Sequence, residues 1–518
     1  MKLRIVGPVS TSSVNINISS ENLIDADYAL EQRARYKSEK SLSQTTRISK
    51  RRIVRTCARM FLFYRITRRL AINRLSVLPC SAINYTPHTM VMLFNAPKDF
   101  WPPWPLVCRS RNATTTRDAL ARIRFAFTPI FICRWTVFIA TCPTVANPIE
   151  FAMRDVHFNS NSVRIPYRTT SYDLRNRVVA CFSPLFYNER WQLILPTLEL
   201  YRQMGISLQV YYVQSMLLEI LQFLQAYERH NVTRIRTWTR VNLGDTDEMD
   251  LGYDPNTELE WRNQAAAHTD CLLKYKEVAE FVIVSDIDDV LIPRLGTSFL
   301  EEFRHLTSLF PAAAGFSYNR YNTQLITSRD ASEFSLAGLL ESAKIADEWE
   351  DPKYVIRPNR VQSVWLHWPG IIDTGSMVTV NEDANLMLHF RNWTMKPFPA
   401  FRFSASRFIS SALADRIEAE FRAFLTADMH VAELFLRLPH DVHYYPLVAE
   451  CYNRIFYGRG RHPINCPGPI RCSMPAIAGV RCAMAQRVTH HNTLNAYVRV
   501  HFAGAPGEFI VSNMGCRI

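Results

Sequence analysis

From residue 175 onward the chain alternates short apolar runs with amphipathic stretches. Residues 178–182 (VVACF) are wholly apolar, as a strand buried on both faces requires. Residues 189–203 then place Trp191, Ile194, Leu195, Leu198 and Tyr201 at helical spacing, with Gly205 as a stop. Pro196 inside that pattern predicts a kink or a late helix start, because proline has no N–H to give the preceding turn. A second strand is expected over 208–213, a second helix over 216–227 and a third strand over 232–238. A polar stretch, 242–258, interrupts before a helix over 259–275 and a fourth strand over 281–284. Alternation at this interval predicts right-handed βαβ units. The result is an α/β domain with a mostly parallel sheet that takes its ligand at the carboxyl ends of the strands.

Residues 1–150 lack this alternation and read as a basic N-terminal extension. The whole chain carries a net charge of +13, but residues 1–150 alone carry +15 and the remainder −2. A nucleic-acid partner is therefore not expected: the excess sits outside the ordered pattern and lacks a recognisable reading element. The longest apolar run, 125–142 (FAFTPIFICRWTVFIATC), could span a membrane but contains Pro129 and Arg134. A mid-membrane arginine costs about 2.5–3.5 kcal/mol on insertion scales. Two readings stay open. One is a single N-terminal signal anchor with Arg117, Arg122 and Arg124 on the cytosolic side; the other is a buried strand pair with Arg134 in its turn.

The 12 cysteines include no CxxC pair, which argues against a zinc ribbon or a thioredoxin-type site. Cys451, Cys466, Cys472, Cys482 and Cys516 lie among Pro and Gly, so 441–518 reads as a disulfide-stapled, Cys-rich C-terminal segment packed on the catalytic domain. Cys181 and Cys271 have no nucleophile motif around them and are expected to be buried or paired. Asn17, Asn84, Asn112, Asn231 and Asn392 each open an N-glycosylation sequon. Cysteines and sequons together point to the secretory pathway.

The most informative residues are Asp286, Asp288 and Asp289, delivered to a strand end by the apolar run 281–284. Asp286 and Asp288, two apart, can point to the same side. Carboxylates held that close repel unless a cation lies between them, and oxygen ligands favour a hard divalent ion such as Mn²⁺ or Mg²⁺. The plain alternative is a solvated acidic turn. Two chemistries compete. One is the metal–diphosphate motif of a nucleotide-sugar glycosyltransferase; the other is the DxDx[TV] nucleophile motif of a haloacid-dehalogenase-type phosphatase. The phosphatase motif normally ends the first strand of its domain, whereas here three strand–helix units precede it.

Residues 178–191 (VVACFSPLFYNERW), 261–276 (WRNQAAAHTDCLLKYK), 281–293 (FVIVSDIDDVLIP), 299–303 (FLEEF), 316–322 (FSYNRYN), 364–369 (VWLHWP) and 388–393 (LHFRNW) resemble, in order, family 92 glycosyltransferases of the nematode type. The resemblance implies a GT-A fold over 175–440, type II topology in the Golgi membrane with a lumenal catalytic domain, a divalent metal such as Mn²⁺, and transfer of galactose from UDP-galactose to a glycan with inversion. A catalytically silent glycan-binding relative is the other outcome it allows.

The resemblance further implies that Asp286 and Asp288 bind metal and diphosphate, that Asp289 lines the sugar side, and that His389 is a third metal ligand. Arg262, Asn263, Gln264 and Asp270 lie where this fold class contacts the nucleotide. Trp365, His367 and Trp368 are candidates to stack on acceptor sugars, although aromatic residues at that density also build cores. Inversion needs a carboxylate base. Glu348, Asp351, Glu382 and Asp383 are available, with Glu382 and Asp383 preferred for their place just before His389.

Overall fold

In the computed structural model of the protein, residues 75–517 are described, except for 86–87, 102, 157–161, 170–175, 245–250, 395–402, 406–408, 458–463, 496–497 and 504–505. The central element is a mixed sheet with two halves. In the first half, the strands Thr233–Thr237, Leu208–Val213, Asn176–Phe182 and Ala279–Ser285 lie side by side and all run parallel. The apolar runs of Asn176–Phe182 and Ala279–Ser285 are buried on both faces: Val179, Cys181, Val282 and Val284 on one, Ala180, Phe182, Phe281 and Ile283 on the other. The expected helices follow as Trp191–Gln203, Leu218–Arg229 and Gln264–Tyr275. The first begins at Trp191 and continues through Pro196, and Gly205, at φ +87°, ends it in the left-handed region open to glycine.

In the second half the direction changes. Lys344–Ile356 runs antiparallel both to Ala279–Ser285 and to Ala313–Ile326. Met387–Thr394 then runs parallel to Ala313–Ile326, and the short strand Asp289–Leu291 closes the edge, with Asp289 directly opposite His389. The chain therefore crosses from the middle of the sheet to its edge within residues 286–289. The protein is a mixed α/β scaffold whose acidic segment bridges the two halves of the sheet.

The 125–142 run is not a membrane anchor. Arg122–Phe125 and Trp135–Pro143 are antiparallel strands, and Arg134 lies in the connection between them with its guanidinium over the Tyr253 ring. Phe138, Ile139 and Ala140 are completely buried in protein, which accounts for the apolarity of the run. Among the described residues no helix is long and apolar enough to cross a membrane. Residues 1–74, with Asn17, lie outside the described residues. From residue 75 the basic segment is folded rather than an extension. Two sheets, one holding Leu75–Tyr85, Thr89–Pro97 and Trp135–Pro143 and the other Leu106–Arg111 and Glu150–Asp155, share a core of Phe94, Phe100, Phe138 and Phe151. Alternate positions of these strands face out, where Arg109 and Arg154 pair with Asp118, while most of the basic excess falls in residues 1–74.

Among the described residues five disulfides staple the fold. Cys181–Cys271 ties the first parallel strand to the helix Gln264–Tyr275, and Cys108–Cys142 joins the two sheets of the N-terminal module. Cys451–Cys472 and Cys482–Cys516 close loops near the carboxyl end, while Cys133–Cys466 links the N-terminal module to that region.

Candidate active site

The acidic segment is held from beneath by the helix Trp191–Gln203. Thr197 donates to the Ile287 carbonyl at 2.8 Å, and the Tyr201 hydroxyl accepts from the Leu291 N–H and donates to the Asp289 carbonyl, both at 3.3 Å. From the other side, the Phe390 N–H donates to the Asp288 carbonyl at 2.7 Å. These backbone contacts fix the three side chains in different surroundings.

Asp286 is gripped by cations and amides. Gln264 donates to one carboxylate oxygen at 2.6 Å and Lys353 to the other at 2.8 Å. Burial alone would push this acid up, but the Lys353 ammonium outweighs it and holds Asp286 well below the usual carboxylate range. Asp289 is fully buried between Arg320 at 3.3 Å and Lys353 at 3.6 Å, and its burial still wins, raising its pKa. Asp288 is more open and lies 3.6 Å from His389 Nε2. Burial pushes it up too, but His389 outweighs that and lowers it.

His389 in turn gives its Nδ1–H to Glu350 at 2.6 Å, and Arg320 reaches the same Glu350 oxygen at 3.4 Å. Burial and Arg320 push the imidazole down, yet its bonds to Asp288 and Glu350 prevail and hold it up at about 9. One ligand atom each from Asp288, Asp289 and His389 lies within 4.8 Å of the others. Two carboxylates and an imidazole suit Mn²⁺ or a similar divalent ion, and a carboxylate on Nδ1 leaves Nε2 as the ligating nitrogen. The donor set fits a cation, which would take the place of the imidazolium proton.

The remaining candidates divide by location. Gln264 touches Asp286, as stated. Its neighbour Asn263, in the left-handed region at φ +62°, lines a pocket with Gln214, Trp238, Arg240 and Pro469, and its buried Oδ1 has no partner in the structure. That pocket opens where Leu208–Val213 and Thr233–Thr237 end, so consecutive residues join it to the carboxylates. Asp270 is elsewhere. Six residues along the helix, or roughly 9 Å at 1.5 Å per residue, it pairs with Arg168 at 2.7 Å and accepts from the Tyr212 hydroxyl at 2.6 Å. The Arg262 and Glu348 side chains lie outside the described residues.

Trp365, His367 and Trp368 do cluster, with Trp365 and Trp368 ring centroids 4.6 Å apart. Trp365 is buried and donates to Glu260 at 2.8 Å, whereas Trp368 is exposed. The group adjoins the site through Lys353, which also donates to the Leu366 carbonyl at 3.2 Å. Burial, with Lys353 and Arg320 nearby, lowers the His367 pKa well below its ordinary value. Glu382 accepts from Asn319 at 2.5 Å, and Asp383 is exposed in the turn before Met387–Thr394.

Lys353, Arg320, Glu350 and Arg190 are the site residues that sequence reasoning missed. Lys353 and Glu350 lie in a densely charged stretch, 344–353, where nothing in the pattern singles them out, and Arg320 is the lone charge in its strand. Only the quoted stretches 178–191 and 316–322 drew attention to two of them, Arg190 and Arg320.

A mixed α/β sheet with acids and a histidine gathered where its parallel strands end defines an enzyme of the strand-end ligand class. The sequence model described as Glycosyltransferase family 92 matches residues 176–434. Three Caenorhabditis elegans proteins, each named a glycosyltransferase family 92 protein, align over most of their length. One is 33% identical over 80% of this chain and 83% of its own; a second is 30% identical over 74% and 78%. A third is 28% identical over 88% and 89%. The chain belongs to glycosyltransferase family 92 and is a glycosyltransferase.

Proposed function

We propose that the protein is a metal-dependent, inverting glycosyltransferase of the GT-A type, transferring galactose from UDP-galactose to a glycan acceptor in the Golgi lumen. The observation that carries this reading is the Asp288–Asp289–His389 group, with Glu350 behind the histidine, just past the end of the parallel strand Ala279–Ser285.

In this reading Asn263 and its pocket take the nucleotide, and Asp288, Asp289 and His389 hold Mn²⁺. Bound there, the ion would supply Lewis-acid neutralisation of the donor diphosphate. Lys353 and Gln264 keep Asp286 charged and oriented. Trp368, the exposed ring of the aromatic group, offers an apolar face to the acceptor sugar, while Trp365 supports it from the core. The lumenal setting is supported by the five disulfides, which need an oxidising compartment.

The test is release of nucleoside diphosphate, and transfer, across a panel of UDP- and GDP-sugars with and without Mn²⁺. Mn²⁺-dependent turnover of UDP-galactose, abolished in Asp288→Asn with the melting temperature unchanged, is expected. Inversion is read from the anomeric configuration of the product. Silence with every donor from folded protein, or full activity in Asp288→Asn, overturns the reading.

A further inference from the structure

We propose that Arg190 grips the departing diphosphate of the donor, an inference that rests on the glycosyltransferase reading of the same site. Arg190 immediately precedes the helix Trp191–Gln203, whose Thr197 and Tyr201 carry the acidic segment. It is held in place twice over. Its guanidinium lies over the Tyr445 ring, 3.6 Å from the centroid. The preceding Glu189 accepts from the backbone N–H groups of His443, Tyr444 and Tyr445 at 2.6, 2.7 and 2.7 Å, locking the aromatic shelf to the arginine's own backbone.

Three basic side chains of Lys or Arg type surround the carboxylates, and two of them are spoken for. Lys353 and Arg320 each pair with two carboxylates. Arg190 makes no ion pair among the described residues, although it acts electrostatically on Asp288. Its Nη1 is enclosed and has no hydrogen-bond partner. A guanidinium held rigid, with an enclosed donor unused and its charge acting on the partly exposed Asp288, is built to receive an anion. Its planar fork matches two phosphate oxygens. In the transfer, the bond from the anomeric carbon to the diphosphate oxygen breaks as the bond to the acceptor oxygen forms. The electron pair stays with the diphosphate, and the acceptor proton leaves to a base on the opposite side. Arg190 donates to the oxygens where that charge collects.

Titration calorimetry with UDP and with uridine, both in Mn²⁺, tests this on the wild-type protein, Arg190→Gln and Arg190→Lys. Expected is at least a tenfold loss of UDP affinity in Arg190→Gln, unchanged uridine affinity and partial recovery in Arg190→Lys. Donor kcat/KM should fall by roughly 10²–10³, the range for losing one donor aimed at developing charge. Should Arg190→Gln fail to fold, Tyr445→Ala, which removes only the shelf, should weaken UDP binding and spare uridine. Equal UDP affinity in wild type and variant, while the wild type transfers sugar, overturns the role of Arg190 alone. Wild-type protein that binds neither UDP nor GDP overturns the glycosyltransferase reading, and this inference with it.

Discussion

Two carboxylates are taken out of water in neighbouring parts of this molecule, and they respond in opposite directions. At the wall where the 365–368 loop meets the N-terminal module, Glu260 is buried, with the Trp365 indole N–H as its hydrogen-bond donor. Burial dominates there and pushes its pKa up to about 8. At the strand end, Asp286 is held well below its ordinary value because Lys353 touches it. Burial alone thus neutralises an acid, and a cation can outweigh burial, as Lys353 does at Asp286 though not at the more deeply enclosed Asp289. A cluster of acids becomes a charged, ligand-ready site only where the scaffold also buries basic groups, and here the antiparallel half of the sheet supplies them.

The largest effect should come from removing the cation that makes the difference. Lys353→Met leaves Asp286 and Asp289 short of their partner and should cost about 3–5 kcal/mol, as expected when one member of a buried ion pair is lost. Urea denaturation checks it, and a loss below about 1 kcal/mol would mean that Lys353 does not set the state of Asp286. The converse experiment is Glu260→Gln. Between its unfolded pKa of 4.5 and the folded value of about 8, the unfolded chain releases a proton that the folded protein keeps. Stability therefore falls as pH rises through that window. The glutamine variant keeps the bond from Trp365, removes this slope and should be more stable by about 2 kcal/mol at pH 7. Identical pH profiles for both proteins would refute the assignment.

Smaller effects sharpen the contrast within the strand-end site. Glu350→Gln keeps the shape but weakens the grip on His389 Nδ1, and should lower Mn²⁺ affinity by about tenfold. A metal titration of donor turnover, with folding monitored in parallel, reads it out. Ile283→Val, in the apolar strand that feeds the site, should cost about 1 kcal/mol and leave Mn²⁺ affinity unchanged. A shift in metal affinity there would show that the strand tunes the site as well as carrying it.

This division also explains what could be read from the chain. The parallel strands at 178–182 and 281–284 were legible because burial on both faces writes itself as an unbroken apolar run, whereas 208–213 and 232–238 carry polar residues and were legible from their spacing between helices. Asp286, Asp288 and Asp289 were legible because their proximity is local. Lys353 and Arg320 were not: Lys353 is one of six charges in its strand and Arg320 the lone charge in its own, and the acids that give them meaning lie 67 and 31 positions away. His389 came from the family resemblance rather than from spacing. The N-terminal module was missed for a related reason. Its strands alternate arginines outward, and one of its sheets is extended by Val498–Ala503, which pairs in parallel with Leu75–Tyr85 from the far end of the chain.

That last pairing has a consequence for how the protein is made. At about 5–20 residues per second, a ribosome needs roughly 20 to 80 seconds after completing residue 75 to reach residue 498. Until then the first sheet carries a raw edge, and Cys133 must wait for a partner 333 residues downstream. The nascent chain has every parallel strand of the central sheet in hand long before its own beginning can be finished. The last residues finish both regions, since Cys482–Gln486 also pairs with Ser215–Leu217 and Cys482 and Cys516 sit in the main core, so a chain stopped a few dozen residues early should lose the amino-terminal sheet edge and that part of the core together.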